Sequence, residues 1–342
     1  MRVRAALVFG WATVLAACSA EAPPSPAKAP ATPPAPLPIR PAEDSLPSAG
    51  IQLLVELRPR EILENRALGA ALEPLLPLER RRAFVATSGA DPERIERAWF
   101  ASYPLGRLWL FDSSAVGEQV EGRLRERAQS SSSQQTPAND RTFTFVMAGE
   151  AGAFYRNDAW SAVAFGDPTL ARIARAHARG RISRTPSALR SLLLAPLATF
   201  DREAQLRSFF VGPFEGDPLL EALAAGELGL WASTDELRIR VHLLGAWDEG
   251  PAELGRAWEA WALAWLEQPA GRALGGGERT SQPGFQCERH GGPDPRTADL
   301  SLCAGEVRFS LPRAAEHWKW LSAERLGELG QWVGTTQEPP ER

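Results

Sequence analysis

Cys287, His290 and Cys303, all toward the carboxyl end, have the types and spacing for chemistry. Two thiols can oxidise to a disulfide, and with the imidazole they offer three ligands to zinc. Structural zinc sites take four ligands in compact pairs, and the chain has no second Cys-x-x-Cys or His-x-x-x-His to complete such a set. The remaining histidines, His177, His242 and His317, have no acid or nucleophile partner at motif spacing. His290, Asp294 and Asp299 form the best polar cluster, but Gly291-Gly292-Pro293 between them reads as a surface loop. His-Glu-x-x-His, Gly-x-Ser-x-Gly, Walker and Gly-x-Gly-x-x-Gly patterns do not occur. Ser25-Pro26-Ala27-Lys28 spells a Ser-x-x-Lys pair, yet its Pro-rich setting supplies no preorganised site. No catalytic residue, resident metal or cofactor follows from these groups, and the expectation is a protein that is not an enzyme.

The third cysteine, Cys18, closes Leu15-Ala16-Ala17-Cys18 after a basic start (Arg2, Arg4) and the apolar stretch from Ala5 to Val14. A positive segment, an apolar core too short to span a bilayer and small residues before a cut make a secretory signal. The four residues resemble the lipobox of bacterial lipoproteins. That resemblance implies removal of the signal peptide at residues 1–17, diacylation of the Cys18 thiol and acylation of the new amino group, palmitate being one such chain. Two or three acyl chains hold a protein on a membrane almost irreversibly. Under the enterobacterial sorting rule, Ser19 after the cysteine implies the outer membrane, with the folded part in the periplasm. Once Cys18 is acylated, Cys287 and Cys303 are an even pair in an oxidising compartment. A bond between them closes a loop of about 15 residues and contributes roughly 3 kcal/mol.

The elements that must position these groups begin after a tether. Between Ser19 and Gly50, 10 of 32 residues are Pro, so this stretch cannot pack a core. At about 3 Å per residue in polyproline geometry it reaches at most roughly 100 Å. The lipid anchor and tether thus occupy residues 18–50, the folded body runs to about residue 335, and residues 336–342 form a tail. The body suits an α+β class of mixed, largely antiparallel sheets packed with helices, with an N-terminal half at 51–180 and a C-terminal half at 181–335. Apolar content of 44% over the whole chain, with all but Trp11 of its 12 Trp in the body, favours a packed fold there. The net charge of -4, more negative still once Arg2 and Arg4 are cut away, argues against a nucleic-acid partner. No second apolar run approaches the ~20 residues of a membrane helix, so the lipid is the expected membrane attachment.

Along the body, Ile51 to Leu57 reads as a buried-type strand, Arg60 to Leu72 as a helix, Ala83 to Thr87 as a strand and Glu93 to Ala101 as a helix started by Asp91-Pro92. Arg107 to Phe111 reads as a strand, Val116 to Ala128 as a helix and the run Ser130 to Gln135 as a loop. Thr142 to Ala148 and a hairpin turned at Asn157-Asp158 follow. Gly166-Asp167-Pro168 starts a helix from Thr169 to Ala178, and Gly216-Asp217-Pro218 another from Leu219 to Ala224. The shared starts suggest two related halves, and the order of elements loosely resembles uncharacterised bacterial envelope proteins.

Glu227 to Leu244 is the clearest β element, with Leu228, Leu230 and Ala232 on one arm and Leu237, Ile239, Val241 and Leu243 on the other. Arg238, Arg240 and His242 then share the opposite, solvated face. In the helix from Ala252 to Gln268, Leu254, Trp258, Trp261 and Trp265 fall four, three and four apart, an aromatic stripe that fills a core or lines an apolar groove. Trp318 and Trp320 are expected partly exposed. The leading expectation is a non-catalytic scaffold or accessory subunit with an envelope protein partner. The alternative is a binder or carrier of an apolar ligand such as a lipid on the Trp258, Trp261 and Trp265 face, and an envelope hydrolase is third. A scaffold needs an exposed patch, a carrier an apolar cavity under that stripe, and a hydrolase polar groups converging in a cleft.

Overall fold

The computed structural model describes residues 42–128, the backbone of 130–135, and residues 141–181, 204–268, 271–272, 279–290 and 299–321. Cys18, Asp294 and residues 19–41 of the expected tether lie outside these residues, as does the 182–203 stretch in which one half was expected to give way to the other. Residues 42–50, also read as tether, are corrected: they fold, with Ala42 and Leu46 buried in the core and the Pro47 carbonyl accepting from the Tyr103 hydroxyl at 2.6 Å, because apolar side chains between the prolines find a hydrophobic surface to cover. The described residues belong to one compact unit that begins at Pro38.

The fold is α+β, built on a single 12-stranded sheet. The strands are β1 (Leu53–Leu57), β2 (Ala98–Tyr103), β3 (Gly106–Phe111), β4 (Ser130–Gln135), β5 (Arg141–Met147), β6 (Glu150–Arg156), β7 (Ser161–Phe165), β8 (Leu206–Val211), β9 (Leu223–Ala232), β10 (Glu236–Gly245), β11 (Gly284–Arg289) and β12 (Ser301–Ser310). Their order is β11-β12-β10-β9-β8-β1-β2-β3-β7-β6-β5-β4. Every pairing is antiparallel, so β1 stands in the middle with β2 on one side and β8 on the other. Its five residues are all half-buried, less covered than a buried-type strand should be.

Directly opposed residues share a face of the sheet. On one face, Trp99, Leu108, Ala162 and Tyr155 pack with the α6 helix (Thr169–Ala178), which α1 (Ala42–Ser45) adjoins. On the other, Phe111, Phe143, Phe154 and Val163 lie under Val116, Val120 and Leu124 of α5 (Ser114–Arg127). Farther along that second face, Leu237 and Phe309 pack with α9 (Leu311–Leu321) and with α3 (Arg66–Leu72), while α8 (Pro251–Glu267) covers β11. Trp318 of α9 is 5% exposed and belongs to that core, contrary to expectation; the side chain of Trp320 is outside the described set.

Several local expectations are corrected. The Arg60 to Leu72 helix is two, α2 (Pro59–Glu64) and α3. Asn65 breaks it, taking an extended backbone, accepting from the Leu68 amide at 3.0 Å and donating to the Ala232 carbonyl at 3.2 Å. Ala83 to Thr87 is not a strand but the end of α4 (Leu78–Ser88), because the Glu-Arg-Arg-Arg run before it propagates helix until Gly89 ends it. Asp91 does cap a start, accepting from the Glu93 amide at 3.1 Å, but only one 3-10 turn follows, at Pro92–Arg94. The aromatic segment beyond is recruited as β2 by ladders on both sides. The Ser130 to Gln135 run is the strand β4, since main-chain pairing with β5 needs no apolar side chain. The Leu219 to Ala224 helix shrinks to one turn, α7 (Pro218–Glu221), because β9 begins at Leu223.

Candidate functional site

The tryptophan stripe and the apolar face of the β9–β10 hairpin meet. The α8 helix starts with Pro251 in its first turn after Gly250, a position where proline's missing N–H costs nothing. The spacing of four, three and four then turns Leu254, Trp258, Trp261 and Trp265 toward the sheet. Trp258, 1% exposed, packs edge-on against Trp247 (centroids 5.6 Å apart) and Trp261 (5.5 Å) and stacks on Phe285 (6.0 Å).

Between α8 and the sheet lies a cavity of about 280 Å³. Its floor is Leu228, Ile239, Val241 and Val307; Phe210, Trp258, Trp261 and Trp265 form walls, and nearly all of the lining is apolar. Two close approaches keep large rings flat against the sheet: a Cβ on Gly226 would collide with the Phe210 ring, and one on Gly305 with the Phe285 ring.

Polar groups act here as fasteners. Trp261 donates its indole N–H to Asp217 Oδ2 at 3.1 Å, while Asp217 Oδ1 accepts the Leu219 amide at 2.9 Å and caps α7. Trp247 donates to the Leu219 carbonyl at 2.9 Å. Glu259 on α8 accepts from the Phe285 amide at 3.1 Å. The bond between Cys287 and Cys303, S–S 2.06 Å, joins directly opposed residues of β11 and β12. The sequence pointed to the tryptophans and the hairpin face, but not to Phe210, Phe285 or the Asp217 link. Gly216-Asp217-Pro218 was legible only as a helix start.

The opposite face of the hairpin is not the solvated surface expected. Arg238 and Arg240 are half-buried and lie over the Trp231 ring, 5.0 and 5.6 Å from its centroid. Arg240 also pairs with Glu306, which accepts from Arg308 at 2.6 Å. Burial pushes the Glu306 carboxyl up, but the two guanidiniums outweigh it and hold its pKa below the ordinary value. Arg207 reaches Glu227 at 2.9 Å and Glu56 at 3.7 Å. Glu227 has no exposed surface, and burial pushes its pKa up to about 7 despite the pull of Arg207. His242 is lowered to about 4 by burial and by Arg240.

The other histidines stand on separate elements, and Asp294, the expected partner of His290, lies outside the described residues. His177 is buried in α6, and His290 follows β11, its backbone amide donating to the Leu300 carbonyl at 2.8 Å; no group of three metal-ligating side chains occurs among the described residues. No described helix is long and apolar enough to cross a membrane.

No protein-family profile matches the chain, and no curated protein sequence matches it. Solved structures of TP0453 are similar at low level. Its crystal form III aligns at 13% identity over 81% of this chain and 98% of that one, form I at 12% over 84% and 100%, and form IV at 11% over 81% and 96%. The TM-score is 0.44 in each case, too low for any role to be carried across.

Proposed function

We propose that this protein is a lipid-anchored bacterial envelope protein that holds an apolar ligand, such as a lipid acyl chain, between α8 and the sheet. One observation carries the reading: Trp258, Trp261 and Trp265 all line one apolar cavity, together with the inner faces of β9, β10 and β12. A filled core would leave no such space, because interiors pack to crystal-like density. The scaffold reading asks for an exposed patch and the hydrolase for converging polar groups; the α8 site offers neither. The lipobox-like Leu15-Ala16-Ala17-Cys18 supports the anchor and the envelope address.

Mass spectrometry of the full-length protein, gently extracted through a tag at Arg342, tests this. An apolar molecule should stay bound, and Val241→Phe, which fills the floor of the cavity, should abolish its retention while leaving the fold intact. Equal retention by Val241→Phe, or no bound molecule at all, would overturn the proposal. A stoichiometric protein partner in its place would establish the scaffold.

A further inference from the structure

A second cavity lies on the same face of the sheet at the far side of β1, and it differs from the first in one chemical respect. It occupies about 510 Å³ between α4, α5 and the strands β2, β3 and β7, within the roughly 300–1,000 Å³ range of small-molecule sites. Ile95, Phe111, Val120, Leu124, Val163 and Phe165 make apolar walls. Among the described residues, the only charged ones in its lining are Arg123 and Arg127, one turn apart on α5 and therefore on the same side of that helix. No arginine or lysine among the described residues lines the α8 cavity.

We propose that this second cavity binds a free long-chain carboxylate, with its acyl chain under α4 and its head group at Arg123 and Arg127. The inference does not depend on the ligand assigned to α8. Three observations support it. First, α4 buries none of its residues, yet Phe84 lines the cavity while 54% exposed, and Trp109 does so while 41% exposed. Large aromatic surface left open around an apolar space is what an inserted chain would cover.

Second, α4 is held at its edges and not by a core. Arg81 pairs with Glu73 and Glu93, each at 3.2 Å, and Gly89 sits so close to α5 that a Cβ would meet the Gln119 carbonyl at 2.6 Å. The helix can move aside without emptying a packed interior. Third, the arginines have weak present partners. Arg123 pairs with exposed Glu126 at 2.7 Å, and Arg127 donates to the Thr87 carbonyl at 3.1 Å. Exposed pairs contribute little, whereas a planar guanidinium can grip a carboxylate through two parallel bonds.

The test uses membranes carrying the full-length tagged protein, incubated with a photoactivatable sixteen-carbon fatty acid, irradiated and analysed by peptide mass spectrometry. Adducts are expected on the α4 peptide and on that bearing Trp109. They should fall about tenfold or more in Arg123→Glu/Arg127→Glu, and the matching uncharged fatty-alcohol probe should label correspondingly less. Both arginines are exposed, so an unchanged urea midpoint will show that binding and not folding was lost; Arg123→Gln/Arg127→Gln gives the same direction if the reversal unfolds the chain. Equal labelling of the charge-reversed variant, equal labelling by the alcohol, or adducts confined to α8 would each overturn the proposal. So would a protein cross-linked over α4 in place of the fatty acid.

Discussion

His242 on β10 and Glu227 on β9 stand directly opposite each other in the ladder, and burial moves their pKa values toward and past one another. Glu227 goes from 4.5 up to about 7, so the folded protein keeps a proton the unfolded chain has released; its contribution to stability is present below pH 4.5 and lost as pH rises to 7. His242 goes from 6.5 down to about 4, so its contribution is present above pH 6.5 and lost as pH falls to 4. Between pH 4.5 and 6.5 folding therefore exchanges a proton on the histidine for one on the glutamate, and the two slopes cancel. Glu227→Gln should expose the histidine slope, with stability falling as pH drops from 6.5 to 4. His242→Leu should expose the opposite slope. Urea unfolding across pH 4 to 7.5 checks both, and parallel curves for wild type and variants would refute the cancellation.

The aromatic wall should separate packing from anchoring. Trp258→Ala removes a fully buried indole and should cost about 3 to 5 kcal/mol in urea unfolding. Asp217→Ala deletes no ring but removes both the α7 cap and the partner of the Trp261 indole, for roughly 1 to 2 kcal/mol. Trp261 fluorescence, isolated by difference against Trp261→Phe, should change in Asp217→Ala; an unaltered spectrum would mean that the carboxylate does not position the ring.

Reducing Cys287 and Cys303, or replacing both with Ala, should lower stability by roughly 3 kcal/mol and free the edge strand β11 first. Amide hydrogen exchange resolves this: protection should drop along β11 before it drops in β8 or β9. Uniform loss of protection would show that the bond serves the whole domain.

Cys18→Ala should release the protein from membranes or leave its precursor uncut. Fractionation with the mass of the amino terminus decides it, and normal processing with full membrane retention would refute the lipid anchor.

The parts of this fold that were legible in the sequence are those whose signal is local. The β9–β10 hairpin follows from strict alternation about Thr234-Asp235-Glu236, and the α8 stripe from its four, three and four spacing. Once the hairpin is set, Trp231 falls opposite Arg238, so the stacked arginines were within reach of the same register argument. Phe84-Val85-Ala86 misled because three apolar residues carry no period, and helix propagating from the arginines upstream decided their conformation. β2 was misread because Asp91-Pro92 is a genuine cap whose helix is overridden by two neighbouring strands. The bond from Trp261 to Asp217 joins residues 44 apart, and no spacing rule connects them.

The central place of β1 has a consequence for how the protein is made. A chain threaded through a membrane emerges amino terminus first, as it does from a ribosome, and folds as it comes. β1 can zip onto β2 as soon as Tyr103 exists, and the ladder out to β7 can then be completed from nearby sequence. Its other edge waits for Leu206 to Val211. Until they arrive the newborn chain carries a finished ladder with one open, apolar border, the kind of template on which polypeptides stick to one another. The hazardous interval in this protein's biogenesis is the wait for β8.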